Sequence, residues 1–507
     1  MAPVPESRTP PATTLVPWRG GPEGLAPLAQ VFAARPLRHE VIAVSGTRHE
    51  RVGLRFLVRE GLRHLASRVL DALTGLALRA LGTAPAPQTP PGAGAAPAGI
   101  PWILLPVLPD LSHTFVYRET LALLALDPAI RILVLERVEG VPVHAEAGAL
   151  LARATFLPRD GVLRRHARIW GWILRRPRRV AALCALYREA GSGARALLGK
   201  LPLREPRHPG NAFALASFLA GGPVRHLHVY GSSWSANVGL GAALLLDLPA
   251  SVSSYVDFDF PYDHKLLAEK LRLSRFFRVC TAACRDRLVR SIPGAQAERI
   301  PRIVYGLDLA HWTGAARRPG QGIVVSAARL VAKKGLHHVP AALALLRRDG
   351  VPVRWLLAGD GPERTRIESL CVQHGVRELV EFRGALANDA VRDLLLHADA
   401  ALLPCVVAAD GERDGIPTFV LEAMALGLPV VTTAVSGIPE VVRDGDTGLL
   451  VDPADAAALA EALRSVLTDP GRAAAIGARA RAEVHATQDA TRSAAELLRR
   501  IRAEGPP

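Results

Sequence analysis

The sequence predicts an α/β protein of two domains with extensions, on three observations. At 507 residues the chain is longer than one ordinary hydrophobic core organises, and its 49 % apolar content is ample for two. In both halves, short apolar runs of strand length alternate with longer runs of helical spacing, the pattern of parallel sheets covered by helices. A Pro- and Ala-rich stretch, TAPAPQTPPGAGAAPAG at 83–99, sets an N-terminal extension apart from the first of these alternations.

Charge and composition narrow the partners. The formal net charge is +15, and Arg supplies nearly all the basic residues, since Lys occurs only at 200, 265, 270, 333 and 334. That balance favours nucleotide phosphates, anionic lipid surfaces or nucleic acid. No nucleic-acid-binding module is recognisable, so nucleic acid is not expected. The five cysteines form no CxxC pair, which argues against a disulfide scaffold or a zinc site and for a reducing compartment. Met1–Pro17 lacks the apolar centre of a secretory signal, and no apolar run reaches membrane-spanning length. The expected location is cytoplasmic, with room for a peripheral place on the inner face of the membrane.

Residues 1–20 read as a lead without regular structure, and a short folded piece is expected near Leu37–Val44. Residues 52–81 read as a helix, because Leu54, Val58, Leu62, Leu65, Val69, Leu73, Leu76 and Ala80 recur at helical spacing. Arg51, Arg55, Arg59, Arg63 and Arg68 decorate it. It either packs on the main body with its arginines in water or lies on an anionic membrane. The expected division is 1–99 for this extension, 100–315 for a first domain, 316–485 for a second, and 486–507 for a terminal helix and tail.

The first domain opens with a buried strand, Trp102–Leu108, and a loop carrying Ser112, His113 and Thr114 ahead of a helix. Loops at the carboxyl ends of parallel strands line the cleft of such sheets. Ser112 and Thr114 are therefore candidates to bind phosphate or acceptor, with helix capping as the competing role. A second strand, Ile130–Leu135, precedes a basic helical region at 150–200 centred on RRHARIWGWILRRPRRV. Its Trp170 and Trp172 among arginines suit a lipid interface, and a solvated helical insertion is the alternative. Strands are then expected at His226–Tyr230, Ala250–Tyr255, Arg278–Thr281 and Ile300–Tyr305, with helices at Asn237–Leu246 and from Lys265 to Leu271.

In the second domain the strand Gly322–Ala327 leads into Arg329-Leu330-Val331-Ala332-Lys333-Lys334-Gly335. Arg329 and Lys334 can reach one anion from a single loop, and Arg binds phosphate in bidentate fashion. The strand Trp355–Ala358 ends in Gly359-Asp360-Gly361, whose glycines permit close backbone approach. Val380–Gly384, carrying Arg383 and Gly384, and Ala400–Pro404 are further strands. Helices follow at 454–468 and 471–485, and a last one, Ala490–Ala503, is placed to cross back to the first domain.

The chain is organised around Asp414–Gly427, DGIPTFVLEAMALG. Pro417 suits the first turn of a helix, so the backbone from Gly415 through Ile416 to Val420 presents N–H groups at a helix start, a site for phosphate. The carboxylates of Asp414 and Glu422 beside it can accept hydrogen bonds from hydroxyls, which suits a sugar and a ribose. A strand-like LPVVTT and a Ser-Gly-Ile-Pro-Glu turn at 436–440 follow.

With the Arg329–Lys334 loop, the Gly359-Asp360-Gly361 loop and the Val380–Gly384 strand in order, this stretch resembles the E-x(7)-E region of family-four retaining glycosyltransferases, in a branch that makes exopolysaccharides. The resemblance spans roughly residues 100–485 and is strongest after 320. It implies the GT-B fold, two Rossmann-like doubly wound domains facing across a cleft. It also implies transfer of a sugar from a nucleotide diphosphate sugar to a glycan or lipid-linked acceptor, with retention and without a metal or other cofactor. By resemblance Arg329 and Lys334 hold the donor diphosphate, Asp414 a hydroxyl of the donor sugar, and Glu422 the ribose. The glycine loop, Arg383 and Gly384 lie along the nucleotide. The chain departs from the pattern with Asp414 for a Glu, His113 for a Glu, and Tyr255 and Tyr230 for two His, of which Tyr255 is placed to face the transferred sugar. These departures keep two further functions in view: a non-catalytic sugar-nucleotide-binding subunit and a GT-B sugar-nucleotide epimerase.

Overall fold

The computed structural model describes residues 15–17, 41–45, 48–52, 69–78, 80–81, 90–92, 99–110, 114–139, 145–189, 210–254, 266–312 and 320–503. Most of the expected lead at 1–20, most of the linker at 83–99, Ser112, His113 and Tyr255 lie outside these residues.

Two six-stranded parallel sheets carry the fold. Among the described residues a small sheet comes first, with β1 (Leu15–Pro17) parallel to β2 (Val41–Ser45) and β2 antiparallel to β3 (Arg48–Val52). The helix expected from residue 52 thus does not begin there: Val52 closes β3, paired with Val41 in the Val- and Ile-rich β2, a β-branched pairing that overrides the helical spacing. Residues 53–68 lie outside the described set, and helix is present at 69–78 and 80–81.

The first large sheet runs in the order β6-β5-β4-β7-β8-β9. Its strands are β4 (Ile100–Leu108), β5 (Arg131–Arg137), β6 (Ala154–Phe156), β7 (Val224–Tyr230), β8 (Ala250–Ser253) and β9 (Phe277–Arg278). Ile103, Leu104 and Leu105 of the central β4 are buried, as a parallel strand covered on both faces requires. Within the basic region at 150–200, the residues described up to Glu189 include β6 and the helices Val162–Arg175 and Pro177–Glu189.

Two expected strands are corrected. Phe277–Arg278 replaces Arg278–Thr281, and Ile300–Tyr305 is not a strand, its ladder reduced to one bridge between Val279 and Arg302. The cause is the buried guanidinium of Arg278, which donates from Nε to Ile303 O at 2.8 Å and from Nη2 to Val304 O at 2.7 Å. A side chain thus satisfies carbonyls that a strand neighbour would otherwise take. Arg278 also pairs with the fully buried Glu119, which accepts the Tyr230 hydroxyl as well. Tyr230 therefore belongs to the core of the first domain.

The second sheet runs β12-β11-β10-β13-β14-β15. It is built from β10 (Ile323–Ala327), β11 (Arg354–Ala358), β12 (Val380–Gly384), β13 (Ala400–Leu403), β14 (Val430–Thr433) and β15 (Leu449–Val451). After it the helix Ala490–Arg502 crosses back and packs on Thr114–Leu126. Its Ala494, Leu497, Leu498 and Ile501 are buried with Val116, Leu123 and Ile132. Each large apolar side chain so buried contributes about 2 kcal/mol. Both large sheets, with their helices, make the two-Rossmann GT-B fold.

Candidate active site

The loops that follow β10, β11, β12, β13 and β14 all leave the carboxyl ends of one parallel sheet, where such folds bind ligands. The first two are laced together. Leu330 N–H donates to Asp360 O at 2.9 Å and Glu363 N–H to Leu330 O at 2.9 Å. Gly359, at φ +129, lies so close to Ala328 O that a Cβ would stand 1.8 Å from it, which reserves the position for glycine. Arg329 and Asp360 are exposed, Gly361 is half-buried, and Gly384 accepts the Gly359 N–H at 2.6 Å. Arg383 is exposed and turned to Glu381, 3.0 Å away.

The Lys333-Lys334-Gly335 turn is seated against the loop after β13. Val406 N–H donates to Lys333 O at 2.9 Å, and Gly335 at φ +64 leaves no room for a side chain beside Pro404 O. This seating delivers both ammonium groups to one carboxylate. Lys334 Nζ is 2.7 Å from Asp414 Oδ2 and Lys333 Nζ is 3.6 Å from Oδ1. Lys333, whose side chain is 4 % exposed, also lies 3.7 Å from Glu412 Oε2. The Cys405 thiol donates to Asp414 Oδ2 at 3.6 Å. Burial raises the Asp414 pKa, but Lys334, Lys333 and the hydrogen bonds outweigh it and hold the carboxyl below its usual value. Burial pulls the Lys334 ammonium down, and Asp414 more than offsets that, leaving it raised.

The helix start is one position later than expected. Pro417 caps the helix Thr418–Ala425 with φ −62 and an extended ψ of 133, where the sequence placed it inside the first turn. A proline there still sacrifices no intrahelical hydrogen bond. Val420 and Leu421 N–H donate back to Pro417 O, and Thr418 and Phe419 N–H have no acceptor among the described residues. Gly415 is buried and Ile416 half-buried beside them. Glu422 lies within the helix and is buried. Burial pushes its carboxyl up to about 7, while the guanidinium of Arg118 in the first domain works against that shift.

From the first domain, Thr114 is the first residue of the helix Thr114–Leu126 and half-buried, and Arg118 follows one turn on. Ser112 and Tyr255 are outside the described residues. The domains also meet at the 436–440 turn. Glu440 Oε2 is 2.9 Å from Arg302 Nε, and a Cβ on Gly437 would fall 2.3 Å from Thr281 Cγ2. Of the residues proposed from sequence, the structure puts Lys334 and Asp414 in contact and gathers Arg329, Gly359, Asp360, Gly361 and the 415–417 turn at the same sheet end. It turns Arg383 towards Glu381. Sequence reading missed Arg118, Glu412, Cys405 and Glu440 as parts of the site. The adjacent lysines were visible, but nothing local marks Lys333 as the buried one.

Two amphiphilic helices pack against the first domain's core. Trp172 donates from Nε1 to Ser217 Oγ at 2.9 Å and packs on the first domain's core, so it is not the outward-facing group the sequence suggested. On the same helix Leu163 and Leu174 are 75 % and 77 % exposed, beside the exposed Arg164, Arg175, Arg176 and Arg178. His166 joins this helix to 69–81 through Thr74 at 3.0 Å and Asp71 at 3.1 Å. That second helix packs by Thr74 and Leu78 and exposes Val69, Leu73 and Leu76. No described helix is long and apolar enough to cross a membrane.

Residues 314–483 match the family described as "Glycosyl transferases group 1". The chain is 39 % identical over 172 residues to the putative colanic acid biosynthesis glycosyltransferase WcaL of Salmonella typhimurium, covering 34 % of this chain and 42 % of that protein. It is 34 % identical over 183 residues to the amylovoran biosynthesis glycosyltransferase AmsK of Erwinia amylovora, covering 35 % and 44 %. The alignments thus span less than half the length of these two relatives. Among solved structures, Anabaena Alr3699/HepE in complex with UDP and glucose superposes with a TM-score of 0.58 at 15 % identity, over 78 % of this chain and 98 % of that one. That likeness is one of fold.

Proposed function

We propose, from the membership of residues 314–483 in the glycosyl transferases group 1 family, that this chain transfers a sugar from a nucleotide diphosphate sugar to a glycan or lipid-linked acceptor in exopolysaccharide assembly. The observation that carries the proposal is the juxtaposition at one sheet end of Lys334, Asp414, the helix start at Thr418 and the buried Glu422. Lys334, Arg329 and the N–H groups of Thr418 and Phe419 supply positive potential for a diphosphate, which grows more negative as the glycosidic bond to it breaks. These groups serve the role that a metal would otherwise fill, so transfer proceeds without one. Glu422 holds the ribose and Asp414 a hydroxyl of the donor sugar. The sugar is transferred with retention, and the departing phosphate accepts the acceptor's proton. WcaL and AmsK, named for the biosynthesis of two exopolysaccharides, support the assignment to polysaccharide assembly.

The acceptor is delivered at the inner face of the cytoplasmic membrane. The exposed Leu163, Leu174, Val69, Leu73 and Leu76, flanked by arginines on adjoining helices, form a face suited to an anionic lipid surface. The whole reading is tested by titrating a panel of nucleotide sugars and then assaying transfer to lipid-linked and soluble glycans, with and without EDTA. Failure to bind any nucleotide sugar overturns it. Binding without transfer replaces it with a non-catalytic subunit, and loss of transfer in EDTA removes the metal-free step.

A further inference from the structure

Asp414 is a single buried carboxylate held between two ammonium groups, and the proposed reaction requires one of them elsewhere. Lys334 Nζ sits 2.7 Å from Asp414 Oδ2, yet Lys334 is the cation that the donor diphosphate must recruit. If Lys334 turned to phosphate and nothing replaced it, Asp414 would remain as an uncompensated buried charge, which is strongly unfavourable. Lys333 and Lys334 from the loop after β10 and Cys405 from the loop after β13 face Asp414, and Glu412 of the same loop as Asp414 lies 3.7 Å from the Lys333 ammonium. Arg329 acts on Lys334 as a like charge. Of these, Lys333 alone is a second cation for Asp414. Its main chain is pinned by the Val406 N–H and its side chain is buried, so it does not travel with the ligand.

We propose that Lys333 is a positioning residue that retains Asp414 when Lys334 exchanges its carboxylate partner for the donor diphosphate. The proposal rests on the glycosyltransferase reading and adds to it an exchange of counter-ions within a fixed frame. In the unliganded protein both lysines share Asp414. In the donor complex Lys334 and Arg329 face the diphosphate, and Lys333 holds Asp414 towards the sugar. Glu412 keeps the Lys333 ammonium on this side of the loop. Before binding, the two lysines face the carboxylates of Asp414 and Glu412, with Arg329 close enough to act on Lys334.

The test is a double-mutant cycle read by calorimetric titration of UDP and of GDP. These probes carry the diphosphate and lack the sugar, so Asp414 acts on their binding through its hold on Lys334 and through its own charge, both of which Asp414→Asn removes. Lys333→Met leaves Lys334 as the sole cation for Asp414, and affinity is expected to fall about tenfold, within the range by which contacting residues couple. Asp414→Asn frees Lys334 and is expected to bind at least as tightly as wild type. In Lys333→Met/Asp414→Asn the affinity is expected to return to that of Asp414→Asn, because no carboxylate remains to compete. A merely structural Lys333 would leave the double variant as weak as Lys333→Met or weaker, and that result overturns the proposal. Lys333→Gln, which retains a polar head, replaces the Met variant if the latter does not fold, with the same outcomes expected. Lys333→Arg keeps the charge and is expected to bind within about threefold of wild type. If wild type binds neither nucleotide, the glycosyltransferase reading has failed and the exchange with it. If wild type binds and Lys333→Met or Lys333→Gln binds equally well, only the exchange has failed.

Discussion

Glu440 accepts the Ala283 N–H at 3.0 Å, so a carboxylate of the second domain meets the first turn of a first-domain helix, Ala282–Ser291. Thr281 caps the same helix by accepting the Cys284 N–H, and the second Glu440 oxygen faces Arg302. A negative charge at a helix N-terminus is favourable by about 0.3–1 kcal/mol, and more when partly buried. Glu440 therefore ties the domains on one side of the cleft. Glu440→Ala is expected to loosen that closure and raise the radius of gyration measured by small-angle scattering. Glu440→Gln, which keeps an acceptor for Ala283, is expected to fall between the two. Identical scattering from Glu440→Ala and wild type would show that the closure does not depend on this contact.

Lys334→Ala should act on rate. In the proposed reaction its ammonium faces charge that grows on the leaving diphosphate, so its contact would strengthen towards the transition state. Removing one such preorganised donor lowers kcat by about a hundredfold or more. Steady-state transfer kinetics with saturating donor provide the check, and unchanged turnover would reduce the lysine loop to a structural turn.

With Glu422 as the proposed ribose ligand, stability and function are opposed at this residue. Burial holds its folded carboxyl near 7, above its usual 4.5. Between these values the folded chain keeps a proton that the unfolded chain has lost, so stability falls as pH rises through the window, and the cost is complete above pH 7. Relative to wild type, Glu422→Gln is expected to be about 2–3 kcal/mol more stable at pH 8 than the same comparison gives at pH 5. Urea unfolding of both proteins at the two pH values tests this. The same variant should bind a nucleoside diphosphate more weakly by about 1–3 kcal/mol. A variant that gains no stability with pH would place the carboxyl elsewhere than in a buried site.

The outward apolar face predicts salt-sensitive lipid binding. Wild type is expected to sediment with vesicles containing anionic lipid, and 0.5 M salt to release a large part of it as the arginine attraction is screened. Leu163→Ser/Leu174→Ser removes two side chains that the fold does not bury and should reduce binding without lowering thermal stability. Absence of binding to anionic and neutral vesicles alike would sink the membrane reading.

The groups at the proposed nucleotide site are each announced locally: glycines where a loop must approach closely, a proline at a helix start, paired cations in one turn. Their partnership is not. Lys334 and Asp414 are 80 positions apart, and sequence spacing does not say that β10 and β13 are neighbours in the sheet. Tyr230 shows the complementary difficulty. Alternation along β7 places its side chain on one face, but only the packing of Thr114–Leu126 against that face reveals that Glu119 waits there for the hydroxyl. The apolar stripe Val69, Leu73 and Leu76 was read correctly as periodic. Periodicity alone does not say whether an apolar stripe faces a protein core or another apolar medium, and here the opposite face, through Thr74 and Leu78, makes the protein contacts.

The returning helix Ala490–Arg502 sets an order of events during synthesis. The face of Thr114–Leu126 that receives Leu497, Leu498 and Ile501 leaves the ribosome with the first domain, whereas its cover is encoded more than three hundred residues later. At roughly 5–20 residues per second the interval is on the order of tens of seconds. For that time the first domain carries an open apolar seam, which the helix Ala490–Arg502 closes once it has been made. Completion of the second domain is thus the step that finishes the first. A ribosome stalled before residue 490 leaves a half-covered intermediate suited to capture by a chaperone that recognises apolar segments.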